Sequence, residues 1–403
     1  MPNLEPFAGI RYSSTELRDL ICPPYDIISP DLQDRLYERD PHNAVRLELA
    51  RGDGPERYRA AAATFGEWLD AGTLLVDEPG LYIYRQDFVG PAGDRRRVVG
   101  VIGALTLEPF GAEARVLPHE RTMPGPKQDR LALLRACPVN VSPIYAIYRG
   151  GGRLEPFFDA LEHRPTTARV ADDDRILHRL WAITAPAEIG MLRDAHAAGP
   201  LVIADGHHRY ETALAYHSEM AERPGHHGAI MCFCVDADAS GLVVLPYNRA
   251  LRTSVAADEI ARRIEEQMAG HRAGGATDLA PDDPGHPFVF VLPDGEFAAR
   301  VEREEVERSL GDRATAWRAL DVVVLHETVL PKLLPEGVQE FTFSKDPDEI
   351  RKLIVDGWSA GVLLRATTAA QIVDVARSGE RMPQKASYFW PKAVTGLVFR
   401  SLD

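Results

Sequence analysis

Residues 201–216, LVIADGHHRYETALAY, constrain the fold more than any other stretch of the chain. The apolar run at the start is typical of a short buried strand, and Gly206 permits a tight turn because glycine adopts backbone angles closed to other residues. The helix that follows begins with amides that have no intrahelical partner, and its dipole adds partial positive charge there. The pattern therefore predicts a strand, a turn and a helix whose start binds an anion.

Cationic side chains follow the turn directly. His207, His208 and Arg209 occupy the first helical turn, where the helix dipole disfavours cations. A bound phosphate would compensate, and the guanidinium of Arg209 suits bidentate contact with phosphate oxygens. We therefore expect Asp205, Gly206 and these three residues to bind phosphate or a nucleotide. The alternative is a structural turn, in which Asp205 caps the helix and Arg209 pairs with a nearby acid.

Composition narrows the class of protein. The chain has 403 residues and is 45% hydrophobic, which is enough for two domains with sizeable cores. Its 46 basic and 60 acidic residues argue against nucleic-acid binding. The sequence contains no apolar run of membrane-spanning length and no basic and apolar block at its start, so we expect a cytoplasmic protein without membrane contact. No feature of the sequence indicates an oligomeric state.

The order of hydrophobic patterns predicts an α+β fold. Residues 56–71 read as a helix with Tyr58, Ala62, Phe65 and Leu69 on one face, and hairpins are expected at 81–107 and 288–301. The pattern changes near residue 250. We therefore predict a phosphate- and nucleotide-binding domain at 1–250 and a smaller α+β domain at 251–403 that closes over the site, with an exposed connection at 270–287.

The turn at 206–211, GHHRYE, resembles the phosphate-binding turn of the ParB and sulfiredoxin superfamily. Over nearly its whole length the chain also resembles the family catalogued as domain of unknown function 1015. The strings that carry this resemblance are PPYD at 23–26, NAVRLEL at 43–49, LPHERT at 117–122, GPK at 125–127, DRL at 129–131, LD at 320–321, LHE at 325–327 and GERMPQKASYFWPK at 379–392. The resemblance implies a ParB/sulfiredoxin-like nucleotide-binding core.

Three activities occur in that superfamily, and the residues of this chain favour one of them. Sulfiredoxins need a cysteine directly after the glycine, where this chain has His207. DNA gripping of the ParB type does not suit an acidic chain. The remaining resemblance is to free-serine kinases, which implies ATP or ADP and Mg²⁺ as cofactors and free serine or a similar hydroxy metabolite as the phosphate acceptor.

Phosphoryl transfer to a hydroxyl requires a carboxylate that orients or deprotonates the acceptor. Glu120, in a polar loop, is the first candidate for this base, and Asp26, behind a rigid Pro-Pro segment, is the second. His208 is the candidate for stabilising the leaving group. Each carboxylate also has a structural interpretation, since Glu120 would pair with Arg121 or Lys127 and Asp26 would cap a turn.

Other charged and polar residues of the sequence are further candidates for the site. The residues expected to hold the substrate are His119, Lys127, Arg130 and Arg46. Lys385 is expected to reach the phosphates, and Asp205 and Glu211 are the candidate ligands of Mg²⁺. Two alternatives stay open here: Arg46 pairs with an internal acid such as Glu48, and the aromatic string that contains Lys385 packs between domains instead of binding a nucleotide.

Two rival functions remain from the sequence. The first is a regulator without catalysis, in which the same turn binds a nucleotide or phosphorylated metabolite. The second is a metal-dependent hydrolase built from the adjacent histidines 207–208 and 226–227 with Glu211. Adjacent residues on a helix diverge by about 100 degrees, so such a pair seldom binds one ion, and the hydrolase is the weaker hypothesis.

Overall fold

The structure is a computed structural model that describes residues 3–120, 122, 124–273, 279–281 and 283–403. The chain forms two compact units. The first unit contains residues 1–118, 122–243 and 391–403, and the second contains residues 119–121 and 244–390. The C-terminal residues therefore return to the first unit after the second unit is complete.

The strands have the following bounds: β1 Leu4–Glu5, β2 Phe7–Tyr12, β3 Leu74–Val89, β4 Arg95–Thr106, β5 Val116–Pro118, β6 Val139–Asn140, β7 Ile144–Tyr148, β8 Ala168–Ala171, β9 Leu177–Ile183, β10 Leu201–Asp205, β11 Ala229–Asp236, β12 Val243–Leu245, β13 Asn248–Arg252, β14 His271–Arg272, β15 His286–Leu292, β16 Gly295–Val301, β17 Glu340–Ser344, β18 Ala360–Leu363, β19 Tyr388–Trp390 and β20 Phe399–Ser401.

The helices have the following bounds: α1 Pro30–Arg39, α2 Val45–Glu48, α3 Glu56–Asp70, α4 Pro124–Ala136, α5 Glu155–Ala160, α6 Pro186–Ala197, α7 His207–Glu219, α8 Ala257–Met268, α9 Arg303–Leu310, α10 Thr315–Arg318, α11 Asp321–Val324, α12 Leu330–Leu333, α13 Pro347–Val355 and α14 Ala369–Arg377. A π-helical turn, Leu325–Val329, joins α11 to α12.

A mixed twelve-stranded sheet forms the first unit, with the main order β5-β10-β7-β11-β4-β3-β2-β20-β6. Strand β10 lies inside the sheet, parallel to β5 and antiparallel to β7. Because β7 runs opposite to β10, the residues that enter β7 lie beside the end of β10. This pairing brings Ser142 and Pro143 close to Asp205.

The second unit is built on a six-stranded sheet in the order β14-β16-β15-β18-β13-β17. Its hairpin β15–β16 turns at residues 293–294, as the Pro-Asp-Gly sequence predicts. Helix α13 packs Ile350 and Ile354 against this sheet. Both units combine helices with sheets, so the predicted α+β class is confirmed.

Helix α3 corrects one detail of the sequence prediction. Its buried side chains are Ala61, Phe65 and Trp68, whereas Tyr58 and Leu69 are only half-buried. The helix is rotated so that the large indole enters the core, because burying it removes more apolar surface from water. Among the described residues, no helix is both long and apolar enough to cross a membrane.

Candidate functional site

The turn between β10 and α7 has the predicted geometry. Gly206 lies between them with a φ of 86°, in the left-handed region that favours glycine. A Cβ at this position would come within 2.9 Å of Ile144 Cγ2 and 3.0 Å of Arg209 Nε. No side-chain cap bonds the start of α7 in the described structure. The helix therefore keeps the uncapped positive end that the sequence predicts.

Asp205 binds two cations at this end of the helix. Its Oδ1 accepts a hydrogen bond from Lys392 Nζ, and its Oδ2 lies 2.9 Å from Arg209 Nη2. Burial alone would raise the pKa of Asp205, but the charges of Lys392, Arg209 and His207 hold the pKa well below its usual range. The carboxylate is thus ionised and pairs with cations instead of capping the helix.

Arg209 is held by acceptors of the protein itself. Its Nη1 donates to Ser142 Oγ at 2.8 Å and to the Pro143 carbonyl at 2.7 Å. Its Nε is buried without a hydrogen-bond partner and faces Gly206. The sequence predicts bidentate contact with phosphate, but two of the three guanidinium nitrogens already donate to the protein. Arg209 therefore fixes Asp205 and the start of β7 around the helix start.

A polar network extends from Arg209 toward the N-terminal segment. Glu48 Oε1 accepts hydrogen bonds from Ser142 Oγ at 3.0 Å and from the Tyr25 amide at 3.1 Å. Arg130 donates to the Glu48 carbonyl at 2.7 Å, and its guanidinium lies 4.4 Å from the centre of the Tyr25 ring. Glu48, Arg130, Ser142 and Arg209 border a cavity of about 50 Å³, which is room for one or two water molecules.

This network determines where Asp26 lies. Tyr25–Ile27 forms a short 3-10 turn that the Tyr25 amide ties to Glu48. Asp26 is exposed on this turn. Burial would lower the pKa of Arg209, but Asp205, Glu48, Tyr25 and Asp26 together raise it. Asp26 is therefore a solvent-accessible carboxylate within electrostatic reach of the Arg209 guanidinium.

Glu211 and Lys127 form a separate contact. Glu211 Oε2 accepts hydrogen bonds from Lys127 Nζ and from Thr122 Oγ1, each at 2.8 Å. Lys127 thus pairs with Glu211, and Asp205 pairs with Lys392 and Arg209. Both carboxylates expected to bind Mg²⁺ are engaged by cations, so the pair does not fit a protein-held magnesium site. No group of three or more metal-ligating side chains occurs among the residues that the structure describes.

Arg46 has a structural environment. Its Nη2 donates to the Tyr37 carbonyl at 2.8 Å, and the guanidinium stacks 4.5 Å from the centre of the Tyr37 ring. Neither contact involves Glu48, the internal acid suggested as its partner. Arg46 therefore packs against α1, and its proposed contact with substrate has no support from these contacts.

Three predicted residues, His119, Glu120 and Lys385, lie in the second unit, whereas His207 and His208 lie in the first unit at the start of α7. His119 Nε2 is 2.9 Å from Ser387 Oγ, and Glu120 Oε1 accepts a hydrogen bond from the Lys385 amide at 3.0 Å. Lys385 has a φ of 54°, a strained value for a residue with a side chain, and its Nζ lies 5.2 Å from the centre of the Tyr247 ring. Glu120 thus stabilises the turn at Lys385.

In this unit, the buried side chain of Arg249 contacts two of the sequence strings that carry the resemblance, residues 325–327 and 379–392. Arg249 donates from Nε to His326 Nε2 at 2.9 Å and from Nη2 to the Lys385 carbonyl at 3.1 Å. Burial lowers the pKa of Arg249 to about 9. Burial, and to a smaller extent the charge of Arg249, lowers the pKa of His326 to about 3. His326 lies in the π-helical turn, a distortion often found at functional sites.

The comparisons identify the family. The family described as "Protein of unknown function (DUF1015)" matches residues 4–323. The chain belongs to this family. No curated protein matches the chain.

Solved structures that resemble this member of the DUF1015 family include a free serine kinase variant in complex with ADP, at 12% identity and a TM-score of 0.35, with 68% of this chain and 84% of the kinase covered. A C-terminally truncated SbnI from Staphylococcus aureus is 8% identical with a TM-score of 0.41, covering 75% and 87% of the two chains. A conserved hypothetical protein from Pyrococcus furiosus is 14% identical with a TM-score of 0.34, covering 68% and 87%. These are similarities only and carry no argument about the site.

Sequence reasoning missed three members of the site. Lys392 belongs to a string that the resemblance selected, but Lys385 was chosen from it. Glu48 and Ser142 were not considered as site residues. Their signal is weak because each is a single polar residue next to apolar ones, and only the pairing of β7 with β10 brings Ser142 to Arg209.

Proposed function

We propose that the protein is a nucleotide-dependent phosphotransferase with a ParB/sulfiredoxin-like core, and that it phosphorylates a small hydroxy metabolite such as free serine. The observation that carries the proposal is the convergence of Lys392 and Arg209 on Asp205 at the uncapped start of α7, with exposed Asp26 in electrostatic reach. The sequence resemblance to free-serine kinases supplies the acceptor class.

The charge balance at the helix start favours a phosphate group. Asp205 contributes one negative charge, whereas Lys392 and Arg209 contribute two positive charges, so these three side chains alone carry a net positive charge, while Glu48 and Asp26 also act on Arg209. The helix dipole adds to it. We propose that the amides after Gly206, with His207 and His208, bind the nucleotide phosphates, while Arg209 keeps Asp205 and the turn in position. A magnesium ion would arrive with the nucleotide, since Asp205 and Glu211 are each paired with a cation of the protein and do not fit a magnesium site.

We propose Asp26, rather than Glu120, as the base. Glu120 accepts the Lys385 amide, whereas Asp26 is exposed beside the Arg209 network. Asp26 would accept the proton of the acceptor hydroxyl while the hydroxyl oxygen bonds to the terminal phosphorus. The bond from that phosphorus to the bridging oxygen then breaks, and the shortened nucleotide leaves with the bonding electron pair. His208 stabilises the negative charge on this leaving group.

The test is an assay for a new phosphate ester. The full chain is incubated with ATP or ADP, magnesium chloride and a panel of hydroxy amino acids, and products are followed by phosphorus NMR. We expect an ester with at least one acceptor, and a rate that falls about 100-fold or more in Asp26→Asn. Asp31→Asn, which changes an exposed aspartate of α1, is the matched control and should retain full activity. If no ester forms with any acceptor, the protein is not this kinase.

A second candidate is a regulator that binds a nucleotide without transferring phosphate. The hydrogen bond that Glu120 accepts from the Lys385 amide favours the regulator, because this contact gives the first candidate base a structural use. Calorimetry distinguishes the two functions. Nucleotide binding with no turnover supports the regulator, and absence of both binding and turnover contradicts both proposals.

A further inference from the structure

A cavity of about 540 Å³ lies within the second unit. Its size is in the range of sites that hold small organic molecules, about 300–1,000 Å³. The apolar part of its wall includes Val306 and Leu320. The polar part includes His286, Arg318 and Asp321, the aspartate of the LD string. All of these residues lie within 244–390, so the cavity belongs to this unit alone.

His286 is fixed by an ion-paired carboxylate. Its Nδ1 lies 2.8 Å from Asp321 Oδ1, and Arg365 grips the same carboxylate through Nε at 2.6 Å and Nη2 at 2.8 Å. A carboxylate accepts hydrogen bonds, so the His286 Nδ1–H donates to Asp321 Oδ1, and Nε2 is the ring nitrogen left to face a ligand. The described residues supply no hydrogen-bond partner for Nε2. The imidazole therefore offers an oriented ring nitrogen at the wall of the cavity.

Arg365 is not itself available to a ligand. Its other donors reach the backbone carbonyls of Asp283 at 2.9 Å and Gly285 at 2.8 Å, with a longer contact to Ala280. It thus holds the segment that carries His286 against Asp321. The dyad has a fixed geometry before any ligand arrives, which lowers the cost of binding.

Two cations of the described wall are available to a ligand: Arg303, whose Nε donates to the Pro284 carbonyl, and the less exposed Arg318, which is the one considered for the ligand. Arg318 Nη2 donates to Thr315 Oγ1 at 3.2 Å, its Nε is buried without a hydrogen-bond partner, and no carboxylate pairs with it among the described residues. A guanidinium with unused donors at a cavity wall suits a carboxylate, which it binds bidentately. Glu307, which also lines the cavity, has no ion-pair partner in the described part of the chain and suits an ammonium group.

We propose that this cavity binds a hydrophobic α-amino or α-hydroxy acid. The ligand carboxylate meets Arg318, its amino or hydroxyl group donates to His286 Nε2, and its side chain packs on the apolar wall. Three features of the cavity thus correspond to three features of one chemical class. The inference does not depend on the proposed phosphotransferase, because no residue of the α7 site takes part in it.

The experiment titrates the full chain, without nucleotide, with L-phenylalanine, L-leucine and L-phenyllactate by calorimetry. Two analogues dissect the contacts: 3-phenylpropanoate lacks the donor for His286, and phenethylamine lacks the carboxylate for Arg318. We expect at least one of the first three to bind with a Kd below about 10 mM, and each analogue to bind more weakly by about tenfold.

Variants assign the contacts to residues. Arg318→Gln should raise the Kd about tenfold or more. Arg308→Gln, on α9 but outside the cavity lining, is the matched control and should leave the Kd unchanged. His286→Asn should abolish the preference for phenyllactate over 3-phenylpropanoate. The proposal is overturned if none of the three ligands binds, or if Arg318→Gln leaves the Kd within about twofold. Since Arg318 is half-exposed, its variant decides the matter even if the buried His286 variant does not fold.

Discussion

Replacing Asp205 with Asn removes the one negative charge that Lys392 and Arg209 share. The side chains of Asp205, Arg209 and Lys392 are only 18%, 12% and 9% exposed, so solvent cannot replace the lost carboxylate effectively. Removing one partner of a buried ion pair costs about 3–5 kcal/mol, because the other charge stays buried without compensation. Because these side chains keep some exposure to solvent, we expect Asp205→Asn to lower the free energy of unfolding by about 3 kcal/mol, the lower end of this range.

Urea unfolding followed by circular dichroism measures this loss. The matched control is Glu219→Gln, which breaks the pair between Glu219 and Arg135, whose side chains are 40% and 55% exposed. An exposed pair contributes at most about 1 kcal/mol, so the control should change little. In the double variant Asp205→Asn/Lys392→Met, the uncompensated ammonium is gone, and part of the lost stability should return.

If Asp205→Asn destabilises the protein no more than Glu219→Gln does, Asp205 is not a buried partner of both cations. The single variant Lys392→Met completes the comparison: a double variant that loses as much stability as the two single variants added together would show that the two charges do not interact. Either result would mean that Lys392 is not a member of the charge cluster at α7, and the net positive charge proposed there would be lost.

Two further predictions concern the backbone and a buried histidine. Gly206→Ala should lower the free energy of unfolding more than Gly93→Ala does. Both glycines have a positive φ, but a Cβ at Gly206 would contact Ile144 and Arg209, whereas a Cβ at Gly93 would have nothing within 4 Å. Equal losses in urea unfolding would contradict the close approach at Gly206. Burial lowers the pKa of His196 from 6.5 to about 4, against the opposing effects of its bond to Leu192 and the charge of Asp236. The unfolded chain then binds a proton that the folded chain does not, so about 3 kcal/mol of stability is lost as the pH falls from 6.5 to 4. His196→Leu should flatten this dependence of the unfolding free energy on pH. If the slope is the same in the variant, His196 is not the group responsible.

Local patterns predicted the elements of the site correctly. The strand, the glycine turn and the helix at 201–216 follow from residues within one short stretch, and each hairpin follows from a turn between apolar runs. Helix α3 was predicted as an element, but its buried face was wrong, because which side of a helix meets the core depends on residues distant in sequence. The register of β7 against β10 is a contact of the same long-range kind.

The partners of charged residues could not be predicted in the same way. Asp205 and Lys392 are 187 residues apart, and Glu120 and Lys385 are 265 apart. Sequence spacing carries no information on such pairs, so the charges near 206 were assigned to an external phosphate when part of them neutralise an internal carboxylate. The anion site stays a prediction, and the group at the helix start gains a second cation, Lys392.

The contacts of Arg209 decide which variants can test the proposed function. Arg209→Ala would release Ser142, Pro143 and Asp205 together, so a loss of nucleotide binding would report the collapse of the turn as readily as the loss of a phosphate contact. Asp26 is exposed, and its removal leaves that network in place. Asp26→Asn therefore separates chemistry from architecture: an unchanged nucleotide affinity with a lost transfer rate would assign the base, whereas equal losses of both would return Asp26 to a structural role.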